Sequence, residues 1–256
     1  METVLIEHHG AVAVVRLNAP PLNLLTQELR RRVGDIFEGF AGRTDIRAVV
    51  IAGGSAFCAG ADLSEFHLRA DPAIAESHCR NGHRMVSMVA KCLQPTISAI
   101  EGPCLGGGFE LALACDFRIA GAGAKIGLPE TSRGVWPGTA GMFFLQNLTN
   151  PSVAKAMVLT GEIVTASEAR TRSLVDECTE AGSAYDRAMV MAETFASRSL
   201  VSLSSVKRLM DGELLARLDA YLKIEQQEYV KTYQTHDSTE GVRAFLEKRP
   251  PNWLHR

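Results

Sequence analysis

Two glutamates stand where the neighbouring sequence offers them no obvious partner. Glu110 ends the run Gly107-Gly108-Phe109-Glu110 and leads into Leu111-Ala112-Leu113-Ala114, an apolar helix start. A charge there is costly unless it has a purpose. Glu130 ends Lys125-Ile126-Gly127-Leu128-Pro129-Glu130, behind a second short apolar run. Two acidic groups near one site fit general acid–base work beside a carbonyl. The plainer alternative pairs Glu110 with an arginine such as Arg118 and makes Glu130 a helix cap.

Two loops of small residues could serve the same chemistry. Residues 55–63 read SAFCAGADL, and residues 102–110 read GPCLGGGFE. Small residues after a strand let backbone N–H groups approach a ligand closely. A helix starting at Gly107 or Gly108 would also aim unpaired N–H groups and the positive end of its dipole outward. Converging on one oxygen, the two loops would stabilise negative charge on it. A third glycine turn follows at Trp136-Pro137-Gly138.

Other chemistries fail on spacing. His78 and His83 are five apart, poorly aligned on a helix for a metal, and no Cys/His set has zinc spacing. No GxSxG elbow, Walker motif or GxGxxG is present. Two carboxylates also suit a glycosidase, but aromatics are only 6% of the chain and paired glycine loops have no use there. No metal and no separate cofactor are expected.

The positioning elements follow from periodicity. Residues 5–8 and 11–17 read as strands around a His9-Gly10 turn, with His8 and His9 exposed. Thr26 can cap a helix in which Leu29, Val33, Ile36, Phe37 and Phe40 recur at helical spacing, ended by Gly42. Apolar strands at 48–52 and 96–100 flank a helix over about 71–92 and run directly into the two loops. This alternation predicts α/β layering. Beyond about Pro151 the pattern turns to successive helices, almost unbroken from 201 to 246. Leu209, Met210, Leu214, Leu218 and Leu222 form a stripe there, suited equally to the chain's own core and to a neighbouring subunit.

Composition bounds the rest. A chain of 256 residues allows one or two domains. We divide it into an α/β core, 1–198, and a helical region, 199–256. Lys plus Arg total 27 against 29 Asp plus Glu, a net charge of −2, which argues against a nucleic-acid or acidic-membrane binder. No apolar stretch approaches the roughly 20 residues of a membrane span. The acidic start lacks the features of a signal peptide, and none of the six cysteines pair as CxxC. A soluble cytoplasmic protein with reduced, core-filling thiols is expected.

Taken together, the motifs resemble the crotonase (enoyl-CoA hydratase/isomerase) superfamily. Residues 56–63 are similar to its first signature, and residues 95–116, PTISAIEGPCLGGGFELALACD, to its second. Gly127-Leu128-Pro129-Glu130, Gly134 and Pro137-Gly138 continue in register, and residues 240–249 resemble the C-terminal helix. The resemblance implies a spiral of repeated β-β-α units followed by a helical oligomerisation region, assembled as a homotrimer or a dimer of trimers. It implies an acyl-CoA substrate, with Ala61 and Gly107 N–H groups on the thioester oxygen. Glu110 and Glu130, twenty residues apart, would hold and activate one water, with Gly138 helping to position it. Retaining both glutamates favours hydration of a trans-2-enoyl-CoA to a 3-hydroxyacyl-CoA. An isomerase, decarboxylase or acyl-CoA hydrolase of the superfamily, or a catalytically silent scaffold, is the alternative. Contacts to CoA would come from Leu22, Ala59, Ala61, Asp62, Leu63 and Ser64, with Tyr229 and Lys248 reaching in from a neighbouring subunit. Two departures are visible. The early loop, residues 18–23, lacks the family's basic residue. Apolar residues at 140–144 replace a polar run near the expected acyl end.

Overall fold

The computed structural model describes residues 2–256. Its frame is a six-stranded sheet. Strands β1 (Val4–His9) and β2 (Val12–Leu17) form an antiparallel hairpin, with Val4 opposite Leu17. Strands β3 (Ala48–Ala52), β4 (Thr96–Ile100), β6 (Phe117–Gly121) and β9 (Glu177–Thr179) then add in parallel. A second sheet holds β5 (Pro103–Leu105), β7 (Lys125–Gly127) and β8 (Ile163–Thr165). Up to β6, the successive turns of chain each contribute a strand to the large sheet, then a short strand or isolated bridge, and then a helix. That is the expected β-β-α spiral.

Period-two alternation explains why the central strands are apolar throughout, since both faces of the sheet are covered. Val12, Val14, Ala48, Val50 and Ala52 meet α7 (Ala184–Ala196) through Ala184, Ala188, Ala192 and Ala196. That alanine repeat of four is one helical stripe, narrow enough to lie close on the sheet. Ala13, Val15, Val49 and Ile51 face the other way, into the main core with α1 (Gln27–Gly39) and α2 (Pro72–Ala90). Thr26 caps α1 by accepting from Leu29 N, and Asp71 caps α2. Helix α1 ends at Gly39 with Phe40 as its cap, three residues before Gly42.

The tail is one 34-residue helix, α8 (Leu200–Tyr233), and a shorter α9 (His236–Leu246) that Thr235 restarts as N-cap. Its apolar stripe is split. Leu218 and Leu222 join the main core, whereas Leu209 is 85% and Met210 78% exposed. Cys58, Cys79, Cys92, Cys104 and Cys115 are buried free thiols, and Cys178 is exposed. Among the described residues, no helix is long and apolar enough to cross a membrane.

Candidate active site

The two small-residue loops leave the same ends of neighbouring parallel strands, β3 and β4, where open α/β sheets place their ligands. They then bind each other. Cys58 N donates to Pro103 O (3.0 Å) and Leu105 N to Cys58 O (3.0 Å). A Cβ on Gly60 would lie 3.0 Å from Leu105 O. Asn23, held in the left-handed region at φ 49°, locks the first loop by donating to Ala56 O (2.8 Å) and Phe57 O (3.1 Å). Among the described residues, the N–H groups of Ala61, Gly107 and Gly138 have no acceptor. These are three of the amides that the sequence selected.

Glu110 lies on α3 (Gly107–Leu113) and is 2% exposed. Its Oε1 accepts from Thr139 N (2.7 Å) and Gly141 N (2.9 Å), where α4 (Gly141–Leu148) begins. Its Oε2 would lie 3.8 Å from a Cβ on Gly107. Glu130 enters from the 3-10 turn Pro129–Arg133, with Oε1 2.5 Å from where a Cβ on Gly106 would sit. Gly106 adopts φ 52° and carries no side chain, and both properties are needed for this approach. The two carboxyls therefore flank Gly106-Gly107. The plainer alternatives are gone: Arg118 pairs with Asp176 (2.9 Å), and Glu130 caps nothing.

Burial raises both carboxyls above the ordinary value of 4.5, Glu110 to about 8 and Glu130 to about 7. Desolvation is the main cause at each, and repulsion from Glu130 is the next at Glu110. That second contribution vanishes once Glu130 takes the proton. Two backbone N–H groups then favour ionised Glu110, while Glu130 Oε2 is buried without a partner. One proton shared by two acids is the result.

The remaining positions separate. Ala59 N donates to Leu22 O (2.9 Å), so those two sit together at the rim. Asp62 accepts from Ser64 N (2.9 Å) and fixes the turn carrying Leu63 and Ser64. Those two line a cavity of about 270 Å³ closed by α9. Tyr229 is not presented to a neighbour: it is 4% exposed, and its ring fills the space a Cβ on Gly138 would take. Lys248 lies exposed just beyond α9 and forms no ion pair among the described residues. Phe143 and Phe144 turn into the core, Phe143 against Tyr221 with ring centres 5.0 Å apart.

A third acid was not visible from spacing. Glu225 of α8, 3% exposed, accepts from His83 Nε2 (2.7 Å) and Ala140 N (2.9 Å). It is 115 residues from Glu110 in sequence, and nothing local singles it out.

Residues 7–256 match the family described as enoyl-CoA hydratase/isomerase. The chain belongs to that family. It is 36% identical over 245 residues to "Probable enoyl-CoA hydratase 2, mitochondrial" of Arabidopsis thaliana, covering 94% of this chain and 81% of that one. It is 33% identical over 257 residues to "Probable enoyl-CoA hydratase echA8" of Mycobacterium tuberculosis, covering 100% and 99%. A solved carnitinyl-CoA hydratase from Mycobacterium avium superposes with a TM-score of 0.89 at 32% identity, covering all of both chains. Pseudomonas aeruginosa DspI gives 0.81 at 34% identity, covering 99% and 97%. The crotonase fold of this family member is thus carried over its whole length.

Proposed function

We propose that the protein hydrates a trans-2-enoyl-CoA to the 3-hydroxyacyl-CoA. One observation carries the reading: two carboxyls with raised proton affinities, Glu110 buried and Glu130 half-buried with its Oε2 enclosed, flank the amides at the start of α3. Water attacks C3 and loses a proton to Glu110, and protonated Glu130 delivers one to C2. Charge that develops on the thioester oxygen is held by the N–H groups of Ala61 and Gly107. One such donor is worth about 10²–10³ in rate. The free N–H of Gly138 orients the water. No separate cofactor takes part, since CoA belongs to the substrate. Names of the relatives support the hydratase reading over the other reactions of the family.

The exposed half of the α8 stripe, Leu209 and Met210, supports assembly as a trimer or dimer of trimers through the tail. The decisive experiment offers a panel of trans-2-enoyl-CoAs and follows loss of the conjugated thioester absorbance. Double-bond migration without water uptake would mean an isomerase, and release of free CoA a hydrolase.

A further inference from the structure

Beside the reacting pair lies a buried basic cluster that hydration does not use. Arg30 of α1 is 4% exposed, and its side chain makes no hydrogen bond or ion pair to any described residue; its Nε is among the buried atoms left without a partner. Arg69 is 2% exposed. It donates from Nε to His78 Nδ1 (3.1 Å) and from Nη1 to the hydroxyls of Tyr229 (2.8 Å) and Tyr233 (3.0 Å), which leaves Nη2 unpartnered. Gln27 Nε2, also on α1, is a third orphaned donor. The nearby acid, Glu65, bonds neither arginine, and its Oε2 is itself unpartnered.

The cluster borders the site from two sides. Arg30 Nη1 and Thr139 Oγ1 both lie within 3.4 Å of the point a Cβ on Gly82 would occupy, and Thr139 N holds Glu110. Tyr229, bonded to Arg69, packs on Gly138. The shortfall of negative charge falls on Arg30, which burial and the neighbouring Arg69 both make harder to keep charged, whereas the tyrosines and Glu65 support the charge on Arg69. His78 cannot supply it, because its Nδ1 already accepts from Arg69.

Resting on the hydratase reading, the geometry points to a substrate whose acyl chain ends in a carboxylate, held by Arg30 and Arg69. The planar fork of Arg30 suits bidentate carboxylate recognition, and Arg69 has Nη2 left to add one bond. Arg30 would then be the specificity residue, since Arg69 is already tied to both tyrosines.

The test starts with non-reacting thioesters, so it does not depend on turnover. Pentanedioyl-CoA and pentanoyl-CoA are compared by calorimetry on the wild-type protein and on Arg30→Met and Arg30→Gln. Tighter binding of the dicarboxylic thioester, by about 10- to 10²-fold, is expected for wild type. Both variants should lose that preference and keep their affinity for pentanoyl-CoA. Equal affinity in the wild type overturns the inference even if the variants fail to fold. A preference that survives both substitutions overturns it as well. Turnover then separates the two readings, using trans-pent-2-enedioyl-CoA and trans-pent-2-enoyl-CoA. Hydration of both at equal kcat/KM would retain the hydratase and refute the carboxylate pocket. A binding preference with no hydration of either would do the reverse.

Discussion

Two places in this protein bury glutamates, and they treat them in opposite ways. Glu240 of α9, 2% exposed, is enclosed by cations and donors. Arg249 (2.6 and 3.0 Å), Arg243 (2.6 Å) and Asn252 N (2.9 Å) all bond its carboxylate. The hydrogen bond from Arg249, above all, holds its pKa well below the ordinary value. Glu110 and Glu130 accept no hydrogen bond from any cation, and Arg133 acts on Glu130 only through space. One arrangement spends its partners on fixing a charge. The other withholds them and keeps a proton available near neutral pH. Burial alone does not mark a reacting carboxyl; burial without a cation, beside unpaired amides, is what sets this pair apart.

The largest effect that tests this contrast is on rate. Glu110→Gln and Glu130→Gln should each lower hydration by about 10²–10⁴ while the fold and CoA affinity persist. Glu240→Gln should do the opposite, reducing the melting temperature and leaving kcat of the folded enzyme near wild type. Wild-type-like turnover in either site variant would remove the two-glutamate mechanism. Ala61→Pro comes next, with an expected loss of about 3–4 kcal/mol of transition-state stabilisation. Ala61→Ser should stay active, because the main-chain N–H is the donor. A product analogue that still binds Ala61→Pro would show that the loop has survived the proline.

Stability against pH should separate the two regions by sign. Folding raises the pKa of Glu110 from 4.5 to about 8, so its contribution is complete below 4.5 and lost as pH rises toward 8. Folding lowers the pKa of Glu240, so its contribution is present above 4.5 and lost as pH falls through the folded value. Urea unfolding of Glu110→Gln should therefore gain on wild type between pH 4.5 and 8. Glu240→Gln should fall furthest behind at neutral pH and draw level in acid. Parallel curves for the two variants would erase the distinction.

Much of this was legible from residue order, because it is local. Strands 48–52 and 96–100, the cap Thr26, the helix over about 71–92 and the amide-bearing loops all follow from short patterns. The three-residue strands β5, β7, β8 and β9 were missed, since so short a segment carries no periodicity, and the five-residue β6 was missed with them. Arg30 was missed for another reason. It opens Arg30-Arg31-Arg32, which reads as a solvated run, yet Arg31 bonds Glu28 and Asp35 at the surface while Arg30 turns inward. Its spacing of three from Val33, on the buried face, was the available signal. Glu225 gave none, because only the docking of α8 brings it beside α4. The tail stripe was half readable: periodicity identifies an apolar face but not what covers each end of it.

Glu225 provides the smallest and finest test, since it lies between the two extremes. It has donors, His83 Nε2 and Ala140 N, but no arginine or lysine, and its Oε1 is unpartnered. Its charge is one of the causes that raise Glu110. Removing that charge in Glu225→Gln should make Glu110 easier to ionise. The limb of the kcat/KM profile that reports the pair should then move to lower pH, by less than about one unit. Turnover at the optimum should fall by less than about 10-fold, because glutamine still offers Ala140 N an acceptor. An unmoved profile would mean that the site does not feel the third acid. A loss of about 10² or more at every pH would place Glu225 among the reacting groups, and the contrast would then lie between one carboxylate fixed by cations and three that share a proton.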